Sequence, residues 1–299
     1  VTALIDPMRL TALRKRYNKV VDRDPMTLVG ALIGTGIHEL FESRLKTVAV
    51  YNPKYVLERS VQDIVRVNDR DLFITGRFDI LYDQKHMTDI KSCSTWKKIF
   101  SPKHEDWTLQ QNLYAYLLHR RGVDVETLNV LAVYKDWSEG NAARDRSYPQ
   151  TQVENIPLPL WDFNETGQIL QRLVQQHVDC EEISDDDLPE CPAEDRWERF
   201  PGGGTCQHAI MSSTKAKRAD RVFGASLEEV FEYVKERQAG RIPRKKPLPK
   251  TAFIEVRHAQ RKRCEKYCAF NTYCNHYQTY LQKKNNHTLN DTISLEVIL

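Results

Sequence analysis

The 299-residue chain is 40% apolar and 28% charged, the balance of a globular rather than a disordered protein, and its net charge is +3. That length allows one large domain, or a domain with a sizeable appendage, and a core that needs no disulfide staples. No apolar run approaches the roughly 18–20 residues of a membrane span, and so small a net charge points to nucleic acid only if basic residues gather locally.

Val1-Thr2-Ala3-Leu4 shows neither a signal-peptide pattern nor an initiator Met, so a trimmed or processed chain is expected. Of seven cysteines, Cys93, Cys180, Cys191 and Cys206 are scattered, while Cys264, Cys268 and Cys274 fall within eleven residues. A secreted disulfide framework favours an even count in a shorter chain. A reducing cytoplasm, with a metal or cluster on the trio, fits better.

Leu10, Leu13, Tyr17 and Val20 recur at helical spacing and a second apolar series runs from Leu28 to Leu45, so 8–47 is predicted helical. Gly34 and Gly36 there suggest close backbone approach or a helix start near His38. Tyr55–Val61 and Leu72–Tyr82 read as strands joined by a turn at Asn68–Asp71, and Gln84–His86 turns into a third strand, Met87–Lys91. A helix over Trp107–His119, a strand over Leu128–Lys135 and an amphipathic helix over 166–182 follow. Beyond an acidic stretch, Glu181–Glu198, come a Gly202–Gly204 turn, a helix over 226–239 and a Pro-rich basic loop, Arg241–Lys250. No internal repeat is present.

The first half carries the chemistry. Asp79 ends a strand in Gly76-Arg77-Phe78-Asp79, and Asp89 and Lys91, two residues apart, share one strand face. The 84–86 turn makes these strands a hairpin, which can bring Asp79 beside Asp89. Two adjacent carboxylates repel unless a cation sits between them, and hard oxygen ligands suit Mg²⁺ or Mn²⁺. Lys91 could stabilise developing negative charge or orient a water, completing the equipment for metal-assisted phosphodiester hydrolysis. Taken singly, each piece is an ordinary solvated strand motif. His38 and Glu42 are four apart on a helix, and a histidine would add a softer ligand favouring Mn²⁺. Gln110 and Tyr114 are also four apart. Gln can hold a phosphate or the lysine, and Tyr can stack on or hydrogen-bond a nucleic acid. The plain alternative is a core aromatic and a helix histidine.

The order His38, Gly76-x-x-Asp79, Asp89-x-Lys91, Gln110-x-x-x-Tyr114 resembles the RecB-like branch of the PD-(D/E)XK nuclease superfamily, over residues 30–136. The resemblance implies that His38, Asp79, Asp89 and the carbonyl of Ile90 hold the metal, that Lys91 is the catalytic lysine, and that Gln110 and Tyr114 complete the site. Glu58 is a further acidic candidate, better explained as strand-surface charge.

In the second half, Cys264-x3-Cys268-x5-Cys274 followed by His276 can ligate zinc or an iron–sulfur cluster. Several RecB-like nucleases carry a four-cysteine [4Fe–4S] cluster with three cysteines just after the core, which this trio resembles. The first spacing departs from the common Cys-x2-Cys, and no cysteine precedes Cys93, where the best-known relatives place the fourth. Leu188-Pro189-Glu190-Cys191-Pro192-x-x-Asp195-Arg196-Trp197 looks like a segment of phage-type members, which implies Cys191 as fourth ligand, ahead of Cys206 and Cys93. Zinc stays open through His276. Arg241, Arg244, Lys245, Lys246, Lys250, Arg257, Arg261, Lys262 and Arg263 form a solvated loop or a phosphate-contacting arm.

The expected fold is α/β: a restriction-endonuclease-like core with a mixed central sheet flanked by helices over 1–180, and a C-terminal cysteine-cluster segment with a basic arm over 181–299, tying back to the core. The expected function is a Mg²⁺- or Mn²⁺-dependent DNA exonuclease acting at free ends in recombination, repair or replication. The expected setting is the cytoplasm of a bacterial or virus-infected cell, with no membrane partner. An endonuclease or end-trimming subunit, or a non-catalytic DNA-binding protein of the same fold, are the alternatives. The intact Asp79, Asp89 and Lys91 argue against the last.

Overall fold

A computed structural model describes residues 1–21, 29–100, 103–200, 207–287 and 292–295. The turn expected at Gly202–Gly204, and Cys206, lie outside the described residues. The chain divides into two compact units, one of 1–12 with 22–183 and one of 13–21 with 184–299. The division falls at Ile183/Ser184, and 13–21 group with the second unit.

The first unit begins with α1 (Thr2–Ile5) and the start of α2 (Met8–Tyr17), which runs across the division, and continues with α3 (Val29–Tyr51). The helix start expected near His38 is not there: α3 begins at Val29 and passes through both glycines. Gly34 meets the other expectation, because a Cβ there would lie 3.1 Å from Ser92 Oγ. Next come β1 (Tyr55–Val67), β2 (Arg70–Tyr82), β3 (His86–Cys93), α4 (Thr95–Phe100), α5 (Glu105–His119), β4 (Thr127–Tyr134), α6 (Glu139–Arg144), β5 (Val153–Leu158) and α7 (Phe163–Asp179).

The five strands form one mixed sheet in the order β1-β2-β3-β4-β5. β1–β2, β2–β3 and β4–β5 are antiparallel, while β3 and β4 are parallel, as the helical crossover α4–α5 between them requires. Met87 of β3 belongs to the apolar core with Leu113 and Leu117 of α5. Ser92, of opposite strand parity, meets α3, so helices cover both faces. The helix α7 is amphipathic, burying Leu170 and Val174, and Asp162 caps it by accepting the N–H groups of Asn164 and Glu165.

The second unit contains β6 (Glu198–Arg199), β7 (His208–Met211), β8 (Arg221–Phe223), α8 (Leu227–Gln238), β9 (Phe253–Val256), β10 (Gln260–Arg261), α9 (Lys262–Lys266), α10 (Asn275–His287) and β11 (Thr292–Ser294). The C-terminal region is more than a cysteine segment with a basic arm. An antiparallel sheet, β11-β9-β7-β8, packs with α8 around its own core of Ile210, Val230, Val234 and Ile254. These strands are three or four residues long, too short for alternation to be read. Among the described residues no helix is long and apolar enough to cross a membrane.

Candidate metal centre and cysteine cluster

The site forms where β2 and β3 part. Their ladder runs Tyr82↔His86, Leu81↔Met87, Ile80↔Thr88, and one more step would set Asp79 opposite Asp89. There the backbone pairing stops. The N–H of Ile90 donates instead to Oδ2 of Asp79 at 2.6 Å, while β3 continues beside β4 as far as Cys93↔Tyr134. The Asp79 side chain therefore stands in for a strand carbonyl, leaving a fork at the carboxylates.

On the other side of β2, the pairs Leu57↔Ile80 and Arg59↔Phe78 flank an interruption at Glu58. Glu58 has φ +49°, a left-handed conformation uncommon outside glycine and frequent at functional sites. From α3, His38 brings Nδ1 to 3.5 Å from Asp79 Oδ2. Ligand atoms of His38, Glu58 and Asp79 all lie within 4.8 Å of one another. Sequence reasoning set Glu58 aside as surface charge; the available signal was its register position opposite Asp79 across the β1–β2 hairpin. Glu42 pairs with Lys46 at 2.7 Å.

Burial, and then the neighbouring Asp89 and Glu58, push the Asp79 carboxyl up to about 7, more than the Ile90 N–H and Lys91 offset. Lys91 Nζ stands 2.7 Å from Asp89 Oδ2. Burial disfavours the Lys91 ammonium, yet the Asp89 carboxylate outweighs it and holds the amine above its ordinary value. Oδ2 of Asp89 is buried, and the Lys91 ammonium is the partner that faces it. Crowded carboxylates, one retaining its proton toward neutral pH, beside an imidazole, suit a divalent cation with mostly oxygen ligands.

Gln110 donates from Nε2 to Tyr114 Oη at 3.0 Å and to Thr2 Oγ1 at 3.2 Å. Both Gln110 and Tyr114 are buried, so Tyr114 offers no face for a base to stack on. Its ring lies over Gly76, where a Cβ would come within 2.6 Å. That close approach explains the glycine of Gly76-x-x-Asp79. Tyr114 also lies close enough to Lys91 to favour the ammonium.

In the second unit, the segment around Cys191 is strapped to the segment carrying the trio. Gln260↔Arg199 and Arg261↔Glu198 pair as a short ladder. Glu190 meets Arg261 and Arg196, each at 2.8 Å, and Arg263 N–H donates to the Arg196 carbonyl. The Cys191 thiol is pushed up to about 12 by burial and then by Cys264, Cys274 and Cys268; Cys264 is pushed up to about 11 by burial and by Cys268 and Cys274. Among the described residues no three thiols lie within 4.8 Å of one another. His276 turns Nδ1 toward Glu190, at 3.8 Å. Cys93 belongs to the first unit.

Within the expected basic run, Arg257 pairs with Glu255, Arg261 with Glu190 and Arg263 with Asp195, while Lys262 is exposed.

No family model and no curated protein sequence matches the chain. Among solved structures it is similar to one titled "Crystal structure of SSO0001", at 14% identity and a TM-score of 0.42, over 62% of this chain and 78% of that one.

Proposed function

We propose that this chain is a RecB-like PD-(D/E)XK nuclease, a Mg²⁺- or Mn²⁺-dependent exonuclease acting on DNA ends. The observation that carries this reading is the fork between β2 and β3, with Asp79 on the Ile90 N–H, His38 and Glu58 converging on Asp79, and the Asp89–Lys91 pair beside them.

His38, Asp79, Asp89 and the Ile90 carbonyl would hold the cation, with Glu58 added to that set. A bound divalent cation supplies neutralisation of phosphate charge and a water of lowered pKa. Lys91, kept as an ammonium by Asp89, is a donor and counter-charge for the phosphorane oxygens rather than a general base. Asp89 orients Lys91 through their ion pair. Tyr114 and Gln110 fix the α5 wall behind the lysine. Cys191, Cys264, Cys268 and Cys274 would hold a structural [4Fe–4S] centre, which would tie two distant segments of the second unit together.

The test uses end-labelled linear DNA and circular single-stranded DNA, with and without Mn²⁺. Metal-dependent release of terminal nucleotides from the linear substrate alone is expected. Cutting of the circle would make the protein an endonuclease, and tight DNA binding without hydrolysis in either cation would make it a non-catalytic binder.

A further inference from the structure

One module of the second unit carries an excess of positive charge. Residues 207–256 hold eleven Lys and Arg against six Asp and Glu, a net +5 where the whole chain carries +3. Strand register gathers that charge at one end. The pairs Met211↔Phe253 and Ile210↔Arg221 place the end of β7 and the starts of β8 and β9 together. The loops 212–220 and 239–252 therefore emerge side by side, joined where Thr251 Oγ1 donates to the Ser212 carbonyl at 2.8 Å. The C-terminus of α8 closes the same end: Arg237 pairs with Asp220 and donates to the Lys246 carbonyl. Four of the six acidic residues sit on α8, three of them in its first half.

Asp220 is already committed to Arg237 and Lys245. Lys215, Lys217 and Arg218 on one loop, and Arg244, Lys246 and Lys250 on the other, are exposed and make no ion pair among the described residues. Pro243, Pro247 and Pro249 restrict the second loop, so little freedom is lost when a partner holds its cations. Neither loop exposes a large apolar or aromatic side chain. That disfavours a membrane surface, which takes apolar insertion beside the charge, and it disfavours base stacking.

We infer that the paired basic loops of the 207–256 module are a sequence-independent docking surface for the DNA phosphodiester backbone. The choice of DNA as the polyanion rests on the nuclease reading; the surface itself does not.

The experiment measures binding of a fluorescent DNA duplex to the full chain in chelator, where no cleavage occurs, as a function of salt. The triple variants K215E/K217E/R218E and R244E/K246E/K250E should each weaken binding at least ~10-fold, and flatten the plot of log K against log salt by about 0.9 for every phosphate that is no longer neutralised. R172E, an exposed charge reversal in the first unit, should leave the slope alone. If a triple variant fails to fold, the neutralising singles K217Q, R244Q and K246Q give the same reading, each with a smaller shift. Unchanged affinity and slope overturn the inference, as does lost binding to phosphatidylserine vesicles with DNA binding intact. Failure of the nuclease reading appears instead as absent hydrolysis with this binding preserved.

Discussion

Lys91 Nζ and Asp89 Oδ2 lie 2.7 Å apart across one face of β3, and each is the other's compensating charge in a largely buried place. Removing one partner leaves an uncompensated buried charge. Asp89 also repels Asp79, which offsets part of what the ion pair contributes. Asp89→Ala should therefore lower the metal-free protein's stability by roughly 2 kcal/mol, and the double variant Asp89→Ala/Lys91→Met should recover part of it. Thermal unfolding in chelator measures both, and a more stable Asp89→Ala protein would show that carboxylate repulsion wins.

For the reaction, Lys91→Ala should cost ~10²-fold in rate or more, because it removes the counter-charge for the phosphorane. Single-turnover cleavage at saturating Mn²⁺ reads this directly. A near-normal rate would remove Lys91 from the mechanism.

Asp79 makes stability depend on pH. Its folded carboxyl is raised from 3.8 to about 7, so between those values the folded state keeps a proton that the unfolded chain has released. The associated stability is fully present below pH ~4 and is lost as pH rises through 7. In chelator, Tm should fall between pH 5 and 8, and Asp79→Asn should flatten that fall. A divalent cation displaces the proton, so its stabilising effect should be larger at pH 8 than at pH 6. Parallel pH curves for wild type and Asp79→Asn would mean that Asp79 titrates normally.

Glu58 and His38 should behave as a pair. Either Glu58→Gln or His38→Ala should raise the Mn²⁺ concentration for half-maximal activity, while DNA affinity in chelator stays unchanged. A shift for His38→Ala alone would confine the ligand set to the residues implied by the family resemblance.

Gly76→Ala should destabilise the protein by roughly 1–3 kcal/mol, because the new Cβ would press on the Tyr114 ring. Adding Tyr114→Leu should recover much of the loss. Recovery distinguishes crowding from a loss of backbone freedom, which a change at Tyr114 could not repair.

Anaerobically purified protein should be brown and hold about four irons per chain. Cys191→Ser should bleach it as fully as Cys264→Ser. Colourless protein with stoichiometric zinc would replace the cluster by a zinc site, and a brown Cys191→Ser protein would move the fourth ligand elsewhere.

By itself the sequence determined the strands and helices whose period spans many residues: the β1–β2–β3 run, α5 and α7, and the Asp89-x-Lys91 and Gln110-x-x-x-Tyr114 spacings, because side chains two apart on a strand or four apart on a helix share a face whatever surrounds them. It also marked the cysteine trio, which is adjacent along the chain. Only the tertiary structure decided the rest. Glu58 turns toward Asp79 through a backbone conformation that no local pattern encodes, and Tyr114 is buried over Gly76, 38 positions away. The segment around Cys191 meets the segment carrying the trio because Arg261 pairs with Glu190 and Glu198, more than 60 residues away in the chain. The basic loops meet because three short strands share a register. These are meetings of distant segments, set by pairing and packing energies that become visible only when the chain is folded.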